Sequence, residues 1–219
     1  MRATGPAPST RRVALAGIAM TLLVPAARAA KAPGRPAVVT VLGDSITAGH
    51  GLPAAQALPA QLQAALARSG VVAQVRAAGV SGDTSADGLA RVDFSVAADT
   101  TLCIVALGGN DLLQGLDPKL TRANLEKIVR RLKARRIGVM LAGMTAPRAI
   151  GSGYAHDFDA AFPAAAKASG ALYFPDLLAG VARQPGLNQA DGIHPNPRGV
   201  AIIVARLAPA VARTLRGRR

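Results

Sequence analysis

The stretch VVTVLGDSITAGHG, Val38 to Gly51, runs from strand-forming residues directly into Gly43-Asp44-Ser45. Val and Thr favour a pleated, half-buried backbone, whereas Gly, Asp and Ser favour turns. The stretch therefore predicts a buried strand over Ala37–Leu42 that ends in a polar loop. Such a loop either turns the chain or presents a reactive side chain at a sheet edge.

The pattern repeats downstream. Short apolar runs at Val71–Ala77, Thr101–Leu107, Ile137–Ala142 and Ala171–Phe174 alternate with longer segments at Pro59–Ser69, Thr84–Ala97, Leu120–Arg135, Tyr154–Ser169 and Pro197–Leu215. Most of the longer segments carry apolar residues three and four apart, which is helical periodicity. Strands that alternate with helices predict an α/β fold, a parallel sheet covered on both faces in a three-layer α/β/α sandwich. In such folds ligands collect outside the carboxyl ends of the strands, and Ser45 stands at that end of the first strand.

Composition agrees with a single domain of this kind. The chain has 219 residues, half of them hydrophobic, yet only 3% are aromatic and Trp is absent. Its core must be filled by Ala, Val, Leu and Ile. The single cysteine, Cys103, excludes an internal disulfide and a cysteine metal cluster.

Residues 1–30 form a separate expectation. Arg11 and Arg12 precede an apolar stretch from Val13 to Val24, and Ala27-Arg28-Ala29 follows. This is the layout of a signal peptide, with an apolar stretch short for a membrane span. A mature domain over 31–219 in the periplasm or outside the cell is expected, by general or twin-arginine export.

The formal charge is +14, and loss of Arg2, Arg11, Arg12 and Arg28 leaves +10. Arg130, Arg131, Lys133, Arg135 and Arg136 make one local group and Arg213, Arg216, Arg218 and Arg219 another, with no aromatics among them for base stacking. A solvated basic face is expected, not a nucleic-acid site. Weak attraction to anionic envelope surfaces is the minor alternative, and no protein partner is implied.

Three loops share the sheet edge with the first strand's end: GDSITAG, GVSGDTSADG and LGGND. A serine nucleophile needs a base and a group that orients the base. The chain holds three histidines. His50 lies in the serine's own loop without an obvious carboxylate, and His156 sits beside Asp157 and Asp159 in a helical segment. His194 lies in ADGIHPNPRG, three residues after Asp191, a spacing that brings a carboxylate to Nδ1 and leaves Nε2 for Ser45. A metal site is not expected, since no second histidine or cysteine offers a ligand set. Backbone amides near Gly82 and the side chain of Asn110 suit an oxyanion, where each donor contributes about 3–4 kcal/mol. The Gly-x-Ser-x-Gly elbow of α/β-hydrolases is absent.

Four ordered blocks, GDSITAG, SGDT, GGND and DGIHPN, resemble those of the SGNH (GDSL) hydrolases and span Gly43 to Asn196. GLARV and LAGMTAP are similar to the bacterial periplasmic branch that acts as arylesterase, acyl-CoA thioesterase and lysophospholipase. The resemblance implies a flavodoxin-like sandwich with five parallel strands. It makes Ser45 the nucleophile, His194 the base and Asp191 its partner, with Ser45 N–H, Gly82 N–H and Asn110 as the oxyanion hole. It implies no cofactor and a small-molecule acyl ester or thioester as substrate.

The chain departs from that branch at Ala77, where Asn is common, at Ala106, where Glu is common, and at Ala149-Ile150-Gly151, where Asn-Tyr-Gly is common. A carbohydrate O-deacetylase on the same fold and a non-catalytic binding protein on this scaffold are the alternative functions.

Overall fold

The computed structural model describes residues 1–5 and 36–218. The chain divides into two compact units, Met1–Gly34 and Arg35–Arg219, and the second carries every element described below. Beyond its first five positions, the expected signal peptide lies outside the described residues, as does the boundary at residue 31.

Five strands, β1 (Ala37–Gly43), β2 (Ala73–Gly79), β3 (Leu102–Ala106), β4 (Gly138–Ala142) and β5 (Leu172–Phe174), pair in parallel in the order β2-β1-β3-β4-β5. The helices are α1 (Ser45–Ala48), α2 (Leu58–Arg68), α3 (Ser85–Ser95), α4 (Gly109–Leu113), α5 (Pro118–Ala134), α6 (Ser152–Ser169) and α7 (Pro197–Arg216). This is the expected three-layer α/β/α sandwich with the flavodoxin-like strand order. The order reverses at β1, so a crevice opens between the ends of β1 and β3.

Alternation along the central strands divides the core. Val39 and Val41 of β1, Leu102 and Ile104 of β3, and Met140 of β4 pack with Leu62 and Leu66 of α2 and Ile203 and Leu207 of α7. Leu42, Cys103, Val105 and Leu141 point the other way, against Val92 of α3, Leu125 and Ile128 of α5 and Phe158 of α6. Cys103 is fully buried, and burial pushes its thiol up to about 12, so it serves as a small apolar filler.

The outer strands correct one expectation. β3 and β4 are buried throughout, but β2 has no buried residue and β5 only Phe174. Each is an edge strand. The run that begins at Val71 therefore misplaces β2 by two residues: Val71 turns into the core ahead of the strand, Val72 is 64% exposed, and the strand itself carries Gln74 and Arg76.

Helix starts follow from their caps. Thr84 and Asp87 form a reciprocal capping box at α3, Asp117 caps α5 ahead of Pro118, and Asn196 accepts from the amides of Arg198 and Gly199 to start α7. Thr84 lies within the second loop of the sheet's carboxyl edge, and Asn196 directly follows the His194 segment.

Candidate active site

Ser45 is the first residue of α1, immediately beyond β1. The turn that presents it is tight: a Cβ on Gly43 would clash with Thr47 Oγ1 and lie 2.9 Å from the Ala106 carbonyl oxygen. Asp44 braces the turn, its buried carboxylate accepting from the Ile46 amide at 3.0 Å. Burial raises this carboxyl from 3.8 to about 6, offset in part by the Ile46 amide, its own amide and His194, with Asp83 adding to the rise.

The loop before α7 brings the second cluster. Asp191 Oδ1 accepts from the amides of Ile193 (2.8 Å) and His194 (3.0 Å), and its Oδ2 lies 2.7 Å from His194 Nδ1. The bond to the His194 ring, then the two amides, hold Asp191 well below the usual carboxylate range. His194 Nε2 lies 2.9 Å from Ser45 Oγ, across 149 residues of sequence. The structure thus joins Ser45, His194 and Asp191 in one hydrogen-bonded chain.

Gln189 ties this loop to the serine's loop. Its Nε2 donates to the carbonyls of His50 (2.8 Å) and Pro195 (3.2 Å), and its amide donates to the His194 carbonyl at 2.8 Å. The sequence carries no signal that singles out Gln189. Its role depends on two loops meeting in space.

The second and third loops supply donors. Gly82 has φ +90, a left-handed conformation suited to glycine, and an added Cβ there would meet nothing within 4 Å. Among the described residues, neither the Ser45 nor the Gly82 amide donates to a protein acceptor. Asn110, in the first turn of α4, donates from Nδ2 to the Asp83 carbonyl at 2.9 Å. Next to it, buried Asp111 accepts from the amide and hydroxyl of Ser85 (2.7 and 2.5 Å) and from Thr121 Oγ1 (2.9 Å), which locks α3, α4 and α5 together.

Arg91 on α3 is a residue that sequence reasoning did not single out. It binds Asp83 through Nε at 2.5 Å and donates to the carbonyls of Ala78 (2.9 Å) and Gly43 (2.8 Å). One guanidinium thereby fixes the ends of β1 and β2 and the loop that holds Asn110. Its spacing from Asp83, eight residues across the start of α3, is the one hint in the sequence.

Ser45, Gly82, Asn110 and His194 face a common cavity of about 430 Å³ whose walls include Leu112, Leu113, Met144, Pro147, Leu178 and Ile193. Its mostly apolar walls with a few polar groups suit an acyl chain. Of the departures noted above, Ala106 is buried in β3 and Ala77 is exposed on the edge strand β2. Ile150 is exposed at the end of a short turn beyond Pro147.

The other histidines separate. His156 is exposed on α6. His50 is exposed as well, but its ring lies 4.4 Å from that of His194, tilted by 37°. The expectation of no metal site rests on spacing along the chain, which places no second histidine beside His194; in the fold His50, Asp191 and His194 offer ligand atoms within 4.8 Å of one another. The serine's loop and the His194 loop converge, which spacing along the chain does not reveal.

Residues 41–202 match the model of the GDSL-like Lipase/Acylhydrolase family. The chain is 39% identical over 156 residues to Esterase TesA of Pseudomonas aeruginosa, covering 71% of this chain and 78% of that protein. It is 35% identical over 157 residues to Thioesterase 1/protease 1/lysophospholipase L1 of Escherichia coli K12, covering 71% and 74%. A crystal structure of TesA aligns with a TM-score of 0.76 at 35% identity, covering 80% of this chain and 97% of the solved one. Both sequence relatives are named for ester or thioester cleavage, so neither the deacetylase nor the non-catalytic alternative is favoured.

Proposed function

The chain belongs to the GDSL-like lipase/acylhydrolase family, whose model spans residues 41–202, and we propose that Ser45, His194 and Asp191 carry out its SGNH-type ester hydrolysis. The observation that supports this most is the continuous chain of contacts, Ser45 Oγ to His194 Nε2 at 2.9 Å and His194 Nδ1 to Asp191 Oδ2 at 2.7 Å.

Ser45 Oγ attacks the acyl carbonyl carbon while Nε2 takes its proton. Asp191 holds the Nδ1 proton and balances the imidazolium. The amides of Ser45 and Gly82 and the free Nδ2 hydrogen of Asn110 receive the negative oxygen. Because they are already placed, they cost little reorganisation as charge develops. Collapse expels the alcohol or thiol, which takes the proton from Nε2. Water then repeats the sequence on the acyl-enzyme and frees the acid. No cofactor or metal takes part in these steps.

The apolar walls favour a small-molecule ester or thioester with an aliphatic or aryl acyl part over a sugar, consistent with aromatic content of 3% and no Trp. Arylester, acyl thioester and lysophospholipid are the substrate types proposed. Residues 1–30 are proposed to direct export, with the domain over 31–219 acting in the periplasm or outside the cell. No helix among the described residues is long and apolar enough to cross a membrane. The spread of basic residues is that of a solvated basic face, with weak attraction to anionic envelope surfaces as the minor alternative, and offers no base-stacking platform for nucleic acid.

The test is hydrolysis of p-nitrophenyl and acyl-thioester substrates by His194→Ala and His156→Ala. His194→Ala should lose several orders of magnitude in turnover, while His156→Ala stays within about tenfold, or 1.4 kcal/mol, of the parent. Equal losses would overturn the assignment of the base.

A further inference from the structure

The convergence of His50 on the His194–Asp191 pair has a chemical consequence beyond hydrolysis. We propose that His50, His194 and Asp191 form a binding site for a divalent transition metal such as Zn²⁺, and that occupancy switches the enzyme off. The inhibitory part rests on the assignment of His194 as the base.

Two imidazoles and a carboxylate are a ligand set that Zn²⁺ accepts, with water in the fourth position. Their ligand atoms already lie within 4.8 Å of one another. In a tetrahedral site with bonds of about 2.0–2.2 Å, ligand atoms stand roughly 3.3 Å apart, so the widest separation must close by roughly 1.5 Å at most, while the 2.7 Å between His194 Nδ1 and Asp191 Oδ2 must open by roughly 0.6 Å. Exposure of His50 and Asp191 leaves both side chains room to make that adjustment. The His50 side chain donates and accepts no hydrogen bond among the described residues, so ligation there breaks none; its one ring neighbour is His194 itself, at 4.4 Å between centroids. Its backbone is meanwhile fixed, because the His50 carbonyl accepts from Gln189 at 2.8 Å and the His50 amide donates to the Ser45 carbonyl at 3.0 Å.

Asp191 lies on the Nδ1 side of the His194 ring, 2.7 Å from that nitrogen, so a metal shared by the two binds Nδ1. It replaces the hydrogen bond to Asp191, and the ring proton leaves Nδ1 for Nε2, so that Nε2 faces Ser45 as a donor and cannot take the serine proton. Few groups compete, since the chain has three histidines and its single cysteine is buried.

The experiment titrates tag-free protein with ZnCl₂ by calorimetry and follows hydrolysis of a neutral p-nitrophenyl ester in parallel. The parent should bind one Zn²⁺ and lose activity over the same concentration range. Ser45→Ala, inactive but with all three ligands, should bind equally well, which reads the site without any activity. His50→Phe keeps a ring against His194 and removes the ligand nitrogen. It should weaken binding and inhibition by about 100-fold, at least as much as the 10–100-fold typical for loss of an outer partner of a metal ligand. Equal Zn²⁺ affinity in His50→Phe and the parent would overturn the site. Stoichiometric binding that leaves hydrolysis intact would overturn the switch, while the role of His194 as the base is read separately from His194→Ala turnover.

Discussion

Asn110 Nδ2 donates to the carbonyl oxygen of Asp83 at 2.9 Å, so one hydrogen of the amide is committed to the protein and one remains for the cavity. That geometry gives the side chain two separable contributions, one to the loop and one to the reaction. Asn110→Ala should lower turnover by roughly 10²–10³-fold with little change in KM, because a donor to the oxyanion acts on charge that develops in the transition state. The lost loop contact should cost about 1 kcal/mol of stability. Kinetics and thermal melting of one preparation check both figures. A destabilised variant with full activity per folded molecule would remove Asn110 from the oxyanion site.

Arg91 makes a prediction about support of the site from outside it. Its side chain is 18% exposed and that of Asp83 11%, so the ion pair is largely shielded from water. Arg91→Leu should cost about 3 kcal/mol, near the lower end for loss of one partner of a buried pair, because Asp83 and two strand-end carbonyls lose their donor. Turnover should fall together with stability, since the Asp83 carbonyl holds Asn110. Arg91→Lys, which keeps the charge but not the fork, should fall between. Denaturant midpoints and kcat on the three proteins decide it.

Asp44 gives a dependence on pH with a definite sign. Its folded value, about 6, lies above the 3.8 of an exposed aspartate. The folded protein therefore holds this proton more tightly. The stabilising contribution is fully present below 3.8 and is lost as pH rises through 6. Above 6 the buried charge costs about 3 kcal/mol, at 1.36 kcal/mol for each pH unit of displacement. Asp44→Asn keeps an oxygen for the Ile46 amide and removes the charge. It should raise unfolding free energy at pH 8 by up to that amount and leave it nearly unchanged at pH 4. The same difference at both pH values would contradict the burial of an ionised carboxylate.

Legibility in the sequence followed burial. β1, β3 and β4 are buried runs of Val, Leu, Ile and Ala, and their expected bounds agree with the structure to within one residue. β2 slipped because an edge strand alternates Gln74 and Arg76 with small residues, while the more apolar Val71-Val72 lies just before it. The short helices α1 and α4 fall in segments whose sequence predicts loops, since helices of four and five residues carry no periodicity. At the site, Asp191 and His194 are three residues apart, and their pairing was legible from spacing. The approach of His194 Nε2 to Ser45 was expected from the motifs, but other contacts that join distant loops were not. Gln189 to His50, Arg91 to Gly43 and His50 to His194 each depend on the sheet bringing separate segments to one edge.

The most direct measurement is covalent labelling of the intact protein with a fluorophosphonate, followed by peptide mass spectrometry. A serine activated by His194 should react at Ser45 alone, with one adduct per chain and loss of hydrolysis in step with labelling. His194→Ala should react orders of magnitude more slowly. Labelling at another residue, or Ser45→Ala protein that still hydrolyses p-nitrophenyl esters at the parent rate, would contradict the account.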